Sequence, residues 1–279
     1  MVEVIIIGGG PAGLSCAIWL KKLGVEVLVL EASGELGGLQ TLSPYENLWI
    51  PGVQGRTGQE VARSLGQHAL DLGVEVRLDT RVHTVGDDGR TVVSSQASFS
   101  CSYLVLATGT RPRNGGFAPA RHIAIGPGTP MEMLAVQGRR IAILGGGDNA
   151  FDQARFVRDR GGDVTIFTRS KPRAQTLLQG LIPQVRVMVG PYEVETDPLR
   201  VGGEVFDALG VMFGFEAVLP LGLNLALLEG YVVVDRAGET SLDNVFACGE
   251  LTNYWHPCVT TACAHGIQVA KQISQRLGR

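Results

Sequence analysis

The chain carries the same short construction twice. Residues 3–7 read as a buried strand of β-branched residues, Gly8-Gly9-Gly10-Pro11-Ala12-Gly13 as a turn, and the next stretch as a helix with Leu14, Ala17, Ile18 and Leu20 at its apolar positions. Further on, residues 140–144 read as a strand, Gly145-Gly146-Gly147-Asp148-Asn149-Ala150 as a turn opening a second helix, and residues 164–167 as the strand that follows. A glycine-rich turn between strand and helix points backbone N–H groups and a helix N-terminus at one spot, which suits the pyrophosphate of a dinucleotide. In the first copy Gly8 permits the tight turn, Gly10 lets a pyrophosphate approach the backbone, and Gly13 lets the helix pack closely on the strand. Ala150 takes the third-glycine position in the second copy. The pattern predicts an α/β chain with two nucleotide-binding units.

The two copies differ where a ribose would lie. The second strand of the first copy, residues 25–30, ends at Glu31, a carboxylate placed to accept hydrogen bonds from both ribose hydroxyls. The same count from Gly145 lands on Thr168, and Arg169, Lys171 and Arg173 follow at once. A missing acid with guanidinium groups nearby is what a ribose 2′-phosphate requires, since a carboxylate would repel it and Arg pairs with it. The first unit therefore reads as FAD-type and the second as NADP-type. A solvated strand-to-loop surface would carry the same cations.

Composition narrows the partners. The 279 residues are 45% hydrophobic and 18% charged, with a formal net charge of −3, so there is no electrostatic footprint for nucleic acid or an anionic membrane. The apolar run Val4-Ile5-Ile6-Ile7 stops at glycines with no basic region before it, and no apolar stretch reaches the ~20 residues of a membrane span. A cytoplasmic protein acting on small molecules is expected. The five cysteines contain no C-x-x-C, which argues against a disulfide framework and a zinc site, so no metal is expected.

Several further segments resemble the thioredoxin reductases and their ferredoxin-NADP reductase relatives. Gly37-Gly38-Leu39-Gln40-Thr41, then Glu46-Asn47 and Pro51-Gly52, are similar to the stretch that runs under the flavin. Residues 103–109, ending in Ala107-Thr108-Gly109, resemble the strand and turn that close the first half of the FAD domain. Residues 244–250 resemble the later G-D motif, with Gly249 followed by Glu250 in place of Asp. His256-Pro257-Cys258, leading into Val259-Thr260-Thr261-Ala262, resembles the start of the last helix, whose first turn faces the flavin. The matches follow the family's order along nearly the whole chain. The resemblance implies two Rossmann-like dinucleotide-binding domains, the second inserted in the first. The FAD domain would comprise residues 1–112 and 238–279, and a shortened NAD(P)H-type domain residues 113–237, with one crossing at Gly109 to Gly116 and the other around Gly238. It also implies FAD contacts from Ala32 and Val82, contacts to NADPH from the Gly145–Ala150 turn, and a homodimer.

The sequence departs from that pattern in places. Where a thioredoxin reductase carries its redox dithiol, residues 126–131 hold no cysteine, so thioredoxin reduction by the usual route is not expected. Between Arg173 and Gly230 only residues 185–189 and 204–215 read as strand, so the second domain reads as lacking the family's three-stranded meander. The chain also stops shortly after its last helix, where ferredoxin-NADP reductases extend over the flavin. An exposed flavin face would admit a large partner, such as ferredoxin, or a second flavin. Electrons from NADPH through FAD to a protein or small-molecule acceptor is the leading reading. A flavoprotein not using NAD(P)H, reduced by ferredoxin or carrying a second flavin, is the alternative, and a non-enzymatic FAD-binding sensor is a third.

Flavin chemistry asks little of side chains. The backbone N–H of Cys258 is expected to stabilise negative charge on the flavin. Its thiol, at a helix N-terminus, is either a nucleophile toward a disulfide or a small residue packed under the cofactor. Cys263 invites the same question, whereas Cys16, Cys101 and Cys248 read as core. His256 stands where the family places a flavin-contacting cation, and His265 reads as a surface or packing residue. Tyr45, Trp49 and Trp255 flank flavin-lining segments, as ring-shielding groups or as ordinary core. The last helix presents Val259, Cys263, Ile267, Ala270, Ile273 and Leu277 as an apolar stripe.

Overall fold

Strands buried on both faces need helices on both sides, and the uninterrupted apolar run at residues 4–7 meets that condition. In the computed structural model, which describes residues 2–47, 49–220, 222–252 and 256–279, this run is the centre of a parallel sheet. The chain forms two compact units, Met1–Arg111 with Glu216–Arg279, and Pro112–Phe215.

The first unit opens with β1 (Val2–Ile7), α1 (Pro11–Lys22), β2 (Val27–Leu30), a 3-10 turn at Gly38–Leu42, and α2 (Gly58–Asp71). Then come β3 (Glu75–Arg77), β4 (Val82–Val85), β5 (Thr91–Ser94), β6 (Ser98–Leu106) and the crossing strand β7 (Thr110–Pro112). The sheet runs β3-β2-β1-β6, parallel throughout, and continues antiparallel into β5 and β4. Helix α2 starts at a capping box: Thr57 Oγ1 accepts from Glu60 N at 3.2 Å, and Glu60 accepts from Thr57 N at 2.7 Å.

The second unit contains β8 (Ile123–Ile125), α3 (Thr129–Glu132), β9 (Arg140–Leu144), α4 (Asp148–Asp159), β10 (Asp163–Thr168), α5 (Thr176–Gly180) and β11 (Arg186–Val189). It continues through β12 (Val194–Thr196), β13 (Leu199–Val201), β14 (Glu204–Val205) and β15 (Ala208–Val211). Its sheet is parallel in the order β11-β10-β9-β15-β8. Strands β12, β13 and β14 form an antiparallel meander, so the expected trimming of this domain does not occur. The meander strands are two or three residues long and turn at Asp197-Pro198 and at Gly202-Gly203, which leaves too little alternation to read from sequence.

The chain returns through β16 (Phe215–Ala217), which pairs with β7, and adds the hairpin β17 (Leu227–Leu228) and β18 (Tyr231–Val232), then β19 (Val245–Ala247) and α6 (Val259–Arg276). The return expected near Gly238 therefore lies earlier, at Phe215–Glu216. Gly238 instead seats inside the first unit, where a Cβ would collide with Val269 of α6. Strand β19 joins the parallel sheet beside β6.

Helices α1 and α6 pack against each other through small residues. A Cβ on Gly266 would collide with the carbonyl of Ala12, so the buried face of α6 is Ala262, His265, Gly266, Val269, Ala270, Ile273 and Ser274. The expected stripe is thus buried only in part: Ala270 and Ile273 face inward, whereas Val259, Cys263, Ile267 and Leu277 are half-buried, because close approach of the two backbones draws the smallest residues inward. Among the described residues no helix is long and apolar enough to cross a membrane.

Candidate functional site

The first glycine turn is held shut on three sides. Gly8 has φ +110°, and a Cβ there would collide with the carbonyl of Ala107; a Cβ on Gly13 would collide with the carbonyl of Gly8. Gly10 is different. Its backbone is extended and a Cβ would meet nothing nearer than Gly38 Cα, at 3.7 Å, so the space above it is open. Gly10 is also the N-cap of α1, with no capping side chain, Pro11 in the first turn and no acid there. The first-turn amides of Ala12 and Gly13 therefore stand ahead of the intrahelical ladder, in a cradle that accepts an anion.

Glu31 leaves β2 with both carboxylate oxygens engaged. Oε2 accepts Gly9 N at 2.7 Å, and Oε1 accepts the backbone N and the hydroxyl of Ser33, each at 2.8 Å. The acid is thereby tied to the glycine turn, with Ala32 between these anchors. Gly37 N donates to Gly9 O at 2.8 Å, which brings Gly38 and Leu39 against the same turn. Gln40 Oε1 accepts from Asn47 Nδ2 at 3.2 Å, and Asn47 Oδ1 accepts Trp49 N at 3.1 Å. Trp49 is 59% exposed, Tyr45 is half-buried, and Trp255 lies outside the described residues. Val82 begins β4, where it pairs with Ser94 of β5.

Ala107, Thr108 and Gly109 close the other side. Ala107 N donates to Ile7 O at 2.8 Å, and the Thr108 hydroxyl donates to the carbonyl of Val218. Gly249, at φ +77°, lies against Ala12, and the adjoining Glu250 accepts from Thr110 Oγ1 at 3.0 Å. The backbone N of Gly249 donates to His265 Nδ1 at 3.3 Å. His265, 6% exposed, thus orders the Gly249–Glu250 motif from α6, a role the sequence reading missed. Its position four residues from Val269 on a helix face was the available signal. Burial pushes the His265 imidazole down to about 4, so it is neutral at pH 7.

Helix α6 begins in a capping box built on a thiol. Cys258 Sγ accepts Thr261 N at 3.5 Å, while Thr261 Oγ1 accepts Cys258 N at 3.2 Å and donates to the carbonyl of His256 at 2.7 Å. The Cys258 amide, expected to face the flavin, is therefore used by Thr261; Val259 and Thr260 supply the remaining first-turn amides. His256 and Pro257 are exposed and Cys258 is half-buried. Burial raises the Cys101 thiol to about 11 and the Cys248 thiol to about 12, and pushes the Cys16 thiol up as well. Cys263, half-buried, is raised by the same cause and donates to Pro11 O at 3.7 Å.

In the second unit a Cβ on Gly145 would collide with the carbonyl of Met212, whereas one on Gly147, the uncapped N-cap of α4, would meet open space. Asn149 and Ala150 stand in the first turn of that helix. Asp148 is turned toward Gln175, accepting its backbone N at 2.7 Å and its Nε2 at 3.0 Å. The segment after β10 folds back over the turn: Thr168 Oγ1 donates to Ser170 O at 2.9 Å, and Arg173 N donates to Gly146 O at 2.7 Å. Thr168 is buried, and the side chains of Arg169, Lys171 and Arg173 are exposed. The Arg169 guanidinium lies over the ring of Tyr192, 5.8 Å from its centroid. Both cradles fit a dinucleotide pyrophosphate, and only the second has cations where the first has Glu31. Among the described residues no group of three or more His, Cys, Asp or Glu is placed to hold a metal ion.

Two Rossmann-like units, each with an open glycine at an uncapped helix start, define a protein built to bind dinucleotides. The description "Pyridine nucleotide-disulphide oxidoreductase" matches residues 2–189. The ferredoxin–NADP reductase of Ignicoccus hospitalis is 29% identical over 285 residues, covering 90% of each chain. A thioredoxin reductase of Listeria monocytogenes is 26% identical over 277 residues, covering 89% of this chain and 85% of its own. The crystal structure of Lactococcus lactis thioredoxin reductase in its FR conformation superposes with a TM-score of 0.86 at 23% identity, covering 99% of this chain and 98% of that one. The fold is thus that of the thioredoxin reductases. The chain belongs to the pyridine nucleotide-disulphide oxidoreductase family, whose members are FAD-dependent oxidoreductases.

Proposed function

We propose that this chain binds FAD in its first unit and NADPH in its second, and passes electrons from NADPH through FAD to a protein or small-molecule acceptor without a C-x-x-C dithiol. The observation that carries the reading is the contrast between the two cradles: Glu31 is tied to the first glycine turn, while Thr168 and the backbone of Arg173 lie against the second, with Arg169 next to Thr168 in the chain. When bound, the isoalloxazine supplies the hydride and electron transfer chemistry. The chain's own part is to hold the two nucleotides. The first-turn amides of α1 and α4 receive the pyrophosphates, Glu31 receives the adenosine ribose of FAD, and Arg169 and Arg173 receive a 2′-phosphate. At the flavin end, Val259 and Thr260 direct amides of α6 at negative charge, and His265 keeps Gly249 and Glu250 in place.

The test is an anaerobic titration of the purified protein with NADPH and then NADH, following the oxidised-flavin absorbance. Bleaching by NADPH at concentrations where NADH is without effect is expected. Replacing Arg169 and Arg173 by Ala should weaken NADPH by about ten-fold or more while leaving NADH nearly unchanged, since each charge-assisted hydrogen bond contributes about 1.5–3 kcal/mol.

A second reading draws on Cys258, whose half-buried thiol caps α6. In it the chain is reduced by ferredoxin rather than NAD(P)H, or carries a second flavin, and reduces a disulfide through that thiol. The relative named ferredoxin–NADP reductase favours a ferredoxin partner, while the complete meander in the second unit favours a working nucleotide domain. No bleaching by either nucleotide, with rapid bleaching by reduced ferredoxin or two flavins per chain, would decide for it. A homodimer is proposed from the family resemblance and is checked by sedimentation.

A further inference from the structure

Arg169 is held by a ring rather than by an acid. Strand β11 runs beside β10 and is followed by Gly190, whose N–H donates to the carbonyl of Thr168 at 2.9 Å; two residues later Tyr192 places its ring beneath the Arg169 guanidinium. The half-buried ring is braced by the core on one side. It meets Phe167 edge-on at 5.6 Å, and Phe167, 2% exposed, meets Phe206 edge-on at 5.6 Å. Among the described residues neither Arg169 nor Arg173 has a carboxylate partner.

The distinction matters chemically. A carboxylate would fix the guanidinium and also cancel its charge, leaving little to attract an anion. An aromatic face fixes it through the ring quadrupole and leaves the charge available. Stacking also keeps the guanidinium edges, which carry the N–H donors, free for a planar fork of oxygens.

We propose that Tyr192 is a positioning residue that sets the preference of the second nucleotide site for a 2′-phosphorylated adenosine, by holding Arg169 at the end of β10 without neutralising it. This rests on the reading that the second unit binds NADP(H).

The experiment uses the full chain and two probes that need no electron transfer, adenosine 2′,5′-bisphosphate and 5′-AMP, with affinities measured by calorimetry for the unmodified protein, Tyr192→Leu, Tyr192→Phe and Arg169→Ala. The unmodified protein should prefer the bisphosphate. Tyr192→Leu should lower that preference roughly 2- to 5-fold, as expected for loss of one exposed cation–π contact, with 5′-AMP affinity unchanged. Tyr192→Phe should keep the preference. A preference retained in Tyr192→Leu but lost in Arg169→Ala overturns the role of Tyr192 and leaves the NADP assignment standing. Equal weakening of both probes in Tyr192→Leu also overturns it, since the ring would then support the unit as a whole. No preference in the unmodified protein overturns the NADP assignment and this inference together.

Discussion

The imidazole of His265 accepts the backbone N–H of Gly249 across 3.3 Å, joining the middle of the last helix to the turn that follows the last strand of the first sheet. That turn carries Glu250, and its geometry depends on a donor that is buried and has to be satisfied. Replacing His265 by Leu keeps the volume and removes the acceptor, so a loss of about 1–3 kcal/mol in unfolding free energy is expected, with reduced flavin content. Urea denaturation followed by circular dichroism measures the first and the absorbance ratio the second.

The same residue predicts an acid-sensitive stability. Its folded pKa of about 4 lies below the ordinary value of 6.5, so the unfolded chain takes up the proton first as pH falls. The contribution is fully present above about pH 6.5 and is lost progressively toward pH 4, amounting to on the order of 3 kcal/mol. In His265→Leu this part of the pH dependence should be absent. An unchanged slope between pH 6.5 and 4 in the variant would remove His265 from the explanation.

Gly10 and Gly13 should respond differently to the same substitution. Ala at 13 would drive a methyl group into the carbonyl of Gly8 and force α1 away from β1, at a cost of about 3 kcal/mol. Ala at 10 fits the backbone and meets open space, so thermal stability of the flavin-free protein should hardly change. Its effect should fall on flavin retention, because the added methyl group occupies the approach to the helix start. Equal flavin content in Gly10→Ala and the unmodified protein would count against a pyrophosphate there.

Thiol labelling separates the cysteines. Cys16, Cys101 and Cys248 are buried with raised pKa values, so alkylation at pH 8 should leave them unmodified until the chain unfolds. Cys258 should react first among the five. Peptide mapping by mass spectrometry after short exposure to iodoacetamide gives the order directly.

The cap of α6 makes a further prediction. Thr261→Val removes the hydroxyl that receives Cys258 N and grips the carbonyl of His256, and should cost about 1 kcal/mol. Cys258→Ser preserves the cap and should leave stability unchanged. If Cys258→Ser also abolishes turnover with a disulfide acceptor, the thiol acts in chemistry.

Much of the first cradle was legible because each of its parts is a backbone requirement with one residue type to meet it. Gly8, Gly13 and Glu31 sit where steric contact or hydrogen bonding leaves no choice, and the structure places them together. The second cradle was legible for the same reason at Gly145, where a Cβ would meet the carbonyl of Met212. Arrangements that depend on two distant segments were not. Tyr192 follows a short edge strand and meets Arg169 only once β10 and β11 are paired, and nothing local to either residue announces the contact. For His265 the choice between surface and packing stayed open, and its bond to Gly249 joins segments 16 residues apart, which nothing local to either announces. The meander was missed because strands of two or three residues carry no usable period. The start of α2, by contrast, was available in the Thr57…Glu60 spacing and was passed over.

The close packing of α6 on α1 at Gly266 and Ala12 also orders events during synthesis. The first strands and helices of the first unit emerge from the ribosome before the second unit, yet the part of α1 that packs against α6 stays uncovered until residues 259–276 have been made. The second unit lies wholly between these segments and is continuous in sequence, so it is complete while the first still waits. Translation therefore starts the first unit before the second and completes it only after the second is made.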